Sequence, residues 1–144
     1  VAMGPGGFFG LVTGTPAAGF LGEQIIATVA SASAVTLTDS TAANVTSISL
    51  TAGIWDVSGV VMFNGVVTGT ATGASIGTVS ATVGTQGDNY VTSSTVSTAT
   101  DTGITIPSFR ISLTATTTVY LVAIESFTVG TAKAYGRISA TRVG

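Results

Sequence analysis

Ten charged side chains stand in 144 residues: the acids Glu23, Asp39, Asp56, Asp88, Asp101 and Glu125, and the bases Arg110, Lys133, Arg137 and Arg142. With no His and no Cys, a His general base, Ser-His and Cys-His nucleophiles, disulfides and thiolate metal sites are all removed. Lys133 is the single lysine, and no Ser-Lys motif surrounds it. Paired carboxylates could cleave a glycosidic bond, but the six acids are dispersed among turns and strand ends. Asp39, Asp88 and Asp101 each stand alone, so no carboxylate-rich cation loop forms, and no Gly-rich phosphate cradle opens a helix. The expectation is a protein that is not an enzyme and takes no metal or cofactor.

The bases carry a second possibility. Arg137 and Arg142 fall on opposite faces of one strand by parity, so one chain cannot cluster them. Around a symmetry axis, copies of Arg110, Arg137 or Arg142 would converge and attract a small carboxylate or another anion. With net charge −2 and a pI near 4.5, nucleic acid is not an expected partner, because it requires clustered Lys and Arg.

Charged residues make up 7% of the chain against about 25% in ordinary domains, and mean hydropathy is +0.65. A surface so poor in charge must be covered by other copies or solvated by hydroxyls. Ser and Thr, 42 of the 144 residues, supply the hydroxyls and favour strands. Residues 1–22 form an uncharged, Gly-rich lead-in. Its GGFFGLVTG resembles viral fusion peptides in composition, but Pro5, Thr13, Thr15 and Pro16 interrupt any amphipathic helix, so a linker is the preferred reading. Residues 23–144 then read as a single domain.

Period-two alternation predicts strands at 24–29, 34–37, 45–50, 54–63, 74–83, 104–113, 119–127 and 133–143, with turns at 39–44, 51–53 and 129–131. Trp55, Val57, Gly59, Val61 and Phe63 share one core face. Pro107 marks an edge or a bulge, since it offers no ladder donor. The stretch 84–103 reads as a surface loop, with Asp88, Asn89 and Tyr90 as candidate contacts to a host surface. Short strands without helical periodicity indicate an all-β, antiparallel β-sandwich or jelly roll.

The strand 119–127 is apolar on both faces, with Val119, Leu121, Ala123 and Phe127 opposite Tyr120, Val122 and Ile124. Sister subunits are the expected cover for Tyr120, Val122 and Ile124; the alternative is a sheet capped by its own loops. Glu125 ends the same strand and is expected to pair with Arg110, Arg137 or a neighbouring subunit's arginine, unless it marks a wet strand end.

The blocks LGEQIIATV (21–29), NVTSISLTAGIWDVSGVVMF (44–63) and VYLVAIESF…AYGRISATRVG (119–144) resemble the C-terminal knobs of bacteriophage tail fibres and tail needles, nearest to the tail-needle knob of short-tailed phages. The middle block is also similar to the tumour-necrosis-factor and C1q-like jelly rolls, which are homotrimers. The resemblance implies a homotrimeric knob at the tail tip of a virion, attached to the fibre or tail machine. Such a knob closes the genome exit channel and contacts a host cell-surface component. A structural virion protein without receptor contact and a glycan-cleaving fibre tip are the alternatives.

Overall fold

The odd-numbered positions from Trp55 to Phe63 are inaccessible apart from the half-buried Gly59, while the even ones stay partly exposed. This alternation is the organising feature of the computed structural model, which describes residues 16–98 and 100–144. Seven antiparallel strands form among the described residues: β1 (Gln24–Val29), β2 (Val35–Thr36), β3 (Ala43–Leu50), β4 (Gly53–Gly77), β5 (Tyr90–Ser93), β6 (Thr102–Leu113) and β7 (Thr117–Arg142). A 3-10 turn at Ser31–Ser33 separates β1 from β2.

β4 and β7, of 25 and 26 residues, pair with each other over most of their length. All strands belong to one hydrogen-bonded network, and β4 and β7, each with a positive-φ glycine near its middle, contribute one half to each of the two sheets into which it folds. The first sheet runs β1, residues 133–142 of β7, residues 53–63 of β4, then β6. The second runs β3, residues 117–123 of β7, residues 72–77 of β4, then β5. The inner faces touch: a Cβ added to Gly59 would lie 3.1 Å from the terminal methyls of both Ile76 and Leu121. One apolar cluster fills the gap, with Trp55, Val57, Val61, Phe63, Ile106 and Ile138 from the first sheet and Leu50, Ile76, Val119 and Leu121 from the second. The chain alternates between the sheets in the Greek-key order of a jelly roll.

The strand at 24–29 and the core face of 54–63 lie where alternation places them. Pro107 sits in edge strand β6, opposite a register shift between Val57 and Gly59. Three expectations are corrected. The turn at 129–131 is absent, because β7 continues through it with Gly130 at φ +107°. The strand at 74–83 ends at Gly77. The loop 84–103 contains β5, and Ser97 beyond it is tied to Glu125. Phe8 and Phe9 of the fusion-peptide-like stretch lie outside the described residues, whereas Phe20 and Leu21 are exposed at the domain's first turn.

Candidate functional site

Charge is sorted by burial. Arg142 points inward from the end of β7, where its Nε lies 3.0 Å from Glu23 Oε2 and its guanidinium stacks 4.4 Å from the Trp55 ring. Its remaining N–H groups donate to the Ala52 carbonyl and the Thr51 hydroxyl. The Gly19 amide donates to Glu23 Oε2 and, together with Arg142, holds that carboxyl below the usual glutamate range against the opposing effect of burial. Arg142 is therefore withdrawn from any anion site shared among subunits, since its charge is neutralised within the protomer. Arg110 lies on the outer face of the first sheet and grips both oxygens of Asp56, its register partner. Arg137 lies on that same outer face, exposed.

Glu125 is fully buried at the edge of the sandwich, and no arginine meets it. Its Oε1 accepts from the Ser97 amide at 2.7 Å and the Ser97 hydroxyl at 3.0 Å, while Oε2 has no partner. The expected pairing with Arg110 or Arg137 is thus replaced by a clamp on the segment between β5 and β6. An isolated carboxylate needs such donors to be tolerated away from water.

On the second apolar face of residues 119–127, Val122 is covered by the chain itself. Val122 is fully buried in register with Ser75 and Asn44 on the outer side of the second sheet. Residues 78–90 fold back across it. Asn44 binds Ser80 and Ala81, and Ser75 Oγ accepts from Gly84 and donates to the Asn89 carbonyl. The Asn89 side chain accepts from the Thr85 amide and donates to the Ile76 carbonyl. The Tyr90 ring lies over Gly73 beside Ile124. Val122 therefore needs no sister molecule; Tyr120 and Ile124 remain half-buried. Of the three candidate host-contact residues only Asp88 is exposed, while Asn89 and Tyr90 serve to fasten the cover. Asn89→Ala removes two hydrogen bonds from a partly buried site, at a cost of about 1–3 kcal/mol. It is expected to speed proteolytic cleavage within 78–88, read by limited digestion and mass spectrometry.

The outer face of the first sheet carries what the sequence reading did not assemble. Along β7, Thr131, Lys133, Tyr135, Arg137, Ser139 and Thr141 all point outward, because their register partners on β4 are the even-numbered, outward positions or continue that face at the bend. Period-two parity gives this stripe once β7 is known to run unbroken through 129–131, where the sequence predicts a turn. The Tyr135 hydroxyl donates to Asp101 at 2.5 Å, which raises its pKa above the ordinary tyrosine value. Shallow grooves flank the stripe at both ends, one lined by Ser31, Asn64, Val66, Thr131 and Lys133, the other by Gln24, Ile26, Arg137, Ser139 and Thr141. Among the described residues no three metal-ligating side chains gather.

These features define a jelly-roll β-sandwich with a polar outer track. No protein-family model matches the chain, and no curated protein is significantly similar in sequence. Among solved structures it is similar to a chain of infectious bursal disease virus, Gx strain, with TM-score 0.55 and 17% identity over 85% of this chain. It is also similar to a chain of the T13 IBDV viral particle, with TM-score 0.53 and 18% identity over 84% of this chain. The chain spans about a third of the length of those chains, 33% and 31% respectively. At such identity the likeness is one of fold.

Proposed function

We propose that the chain is a structural subunit of a virus particle that works in several copies and catalyses no reaction. The observation that carries this reading is the likeness of fold to chains of the bursal disease virus particle structures, with TM-scores of 0.55 and 0.53. The scarcity of charge supports it, because copies packed side by side need less of a solvating surface. In its finer form the subunit is a homotrimeric knob at the tip of a phage tail needle or fibre, closing the genome exit channel and touching the host surface. The contact between copies falls on Tyr120 and Ile124, the half-exposed remainder of the second sheet's outer face, with Val79 of the covering segment, which is 61% exposed.

Light scattering coupled to size exclusion tests this directly. The expected species has three times the 14.1 kDa protomer mass, and Ile124→Arg returns it to a monomer by placing a charge at the contact. A wild-type monomer at micromolar concentration removes the trimer. A trimer that binds no host cell leaves a purely structural virion subunit.

A further inference from the structure

We propose that the outward face of β7 from Thr131 to Thr141 is a binding track for a linear acidic polysaccharide. Lys133 and Arg137 hold its carboxylates, and Tyr135 supports the sugar between them. The inference deepens the attachment reading given above, on which its biological setting rests.

The first support is the disposition of the cations. Arg110 and Arg142 are neutralised by Asp56 and Glu23. Lys133 and Arg137 have no ion pair among the described residues, although six acids outnumber four bases. Both stand on the same face of one strand, four positions apart, or about 13 Å at the usual rise per residue. Two cations without an ion pair on one face create a local positive potential that draws an anionic partner.

The second support is what lies around them. Tyr135 falls midway between the cations, and its hydroxyl is tethered to Asp101, which fixes the ring. An aromatic with its polar tip satisfied offers a flat apolar surface to the C–H face of a sugar. The two grooves add hydroxyls and amides: Ser31 and Asn64 beside Lys133, Gln24, Ser139 and Thr141 beside Arg137. Groups that both donate and accept suit sugar hydroxyls, while a guanidinium suits a carboxylate. Nucleic acid fits poorly, since only two cations would face a phosphate on every nucleotide, whereas a polysaccharide charged on alternate sugars asks for fewer. A neutral glycan would leave both cations without a counter-charge.

Amide chemical-shift titration of the full chain with hyaluronan octasaccharides, which carry a carboxylate on alternate sugars, tests the track. Perturbations are expected at residues 24–28 and 131–141. Lys133→Gln and Arg137→Gln should each weaken binding about tenfold, the loss of one charge-assisted contact, while leaving the spectrum of the free protein otherwise unchanged. Dextran should not bind. No perturbation by hyaluronan, equal binding of dextran, stronger binding of polyglutamate or oligothymidylate, or unchanged affinity in both variants overturns the proposal. The same variants separate it from the attachment reading. Host-cell binding that survives both substitutions leaves attachment standing without the track, and hyaluronan binding without any cell binding leaves the track without attachment.

Discussion

Arg142→Met is expected to lower the unfolding free energy by about 3–5 kcal/mol, the usual cost of breaking a buried ion pair on one side. The magnitude follows from how much converges on this guanidinium. It neutralises Glu23 ahead of β1, satisfies Ala52 and Thr51 in the turn between β3 and β4, and stacks on Trp55. Backbone bonds knit the same place together, since Arg142 N donates to the Glu23 carbonyl and Gly22 N to that of Arg142. Without the cation, Glu23 keeps only the Gly19 amide and becomes a nearly buried charge lacking its counter-ion. Glu23→Gln combined with Arg142→Met should therefore recover part of the loss, as coupled neighbours do. Urea denaturation of the two single variants and the double variant measures the coupling.

The pH dependence of this site has a definite sign. The folded protein holds the Glu23 carboxyl below its ordinary value, chiefly through the Gly19 amide and then through Arg142. A depressed carboxyl contributes stability that is present above the unfolded-state value and is lost as pH falls through the folded one. Asp39, held low first by the Phe127 amide and then by the Ser40 hydroxyl, acts in the same direction. Acid should thus weaken the wild-type domain below the ordinary carboxylate range. Arg142→Met should weaken that dependence by removing one of the two groups that lower the Glu23 carboxyl, while the Gly19 amide still acts on Glu23 and Asp39 and Asp56 remain depressed, and urea midpoints across the acid range distinguish the two profiles.

How far the residues disclose this structure depends on the range over which each contact acts. The alternation in β1 and in residues 54–63 is local, and both segments lie where their pattern puts them. Pro107 disrupts the ladder where a residue without a donor must. Glu23 and Arg142 are 119 positions apart, so composition shows two charges and nothing of their union. Ser97, which clamps Glu125, sits in a Thr/Ser-rich stretch that has the look of a free loop. The doubly apolar strand 119–127 is legible as needing two covers. Its sequence does not reveal whether the second comes from a sister chain or from residues 78–90, because that depends on where Asn89 and Asn44 bring the segment back. The outward stripe on β7 was legible by parity, but only once the strand is known to run unbroken from 131 to 141.

That continuity rests on glycine, and it sets up the second large effect. GVVTG in β4 and VGTA in β7 have the composition of turns, yet both remain hydrogen-bonded strand. Gly65 and Gly130 adopt φ +106° and +107°, in the region that L side chains avoid, on facing strands one register step either side of the Val66–Thr131 pair. A Cβ at Gly65 would run into the Thr131 carbonyl oxygen, and one at Gly130 into the Val66 carbonyl oxygen. The two glycines thus fold a long two-stranded ribbon so that its halves join opposite sheets, as bulge glycines do at sheet corners. Gly65→Ala or Gly130→Ala should each cost about 3 kcal/mol, combining the left-handed backbone with a backbone collision. Gly87→Ala separates these causes, because Gly87 has φ +87° with nothing within 4 Å of its would-be Cβ. It should cost only about 1 kcal/mol, the conformational part alone. If urea melts show Gly130→Ala no worse than Gly87→Ala, close strand approach does not hold the bend. The double variant Gly65→Ala, Gly130→Ala should fail more completely, since relaxing both kinks straightens the ribbon and parts the faces carrying Trp55 and Leu121. Exposed apolar sheet then associates between chains, so the double variant is expected in the insoluble fraction while each single variant stays soluble.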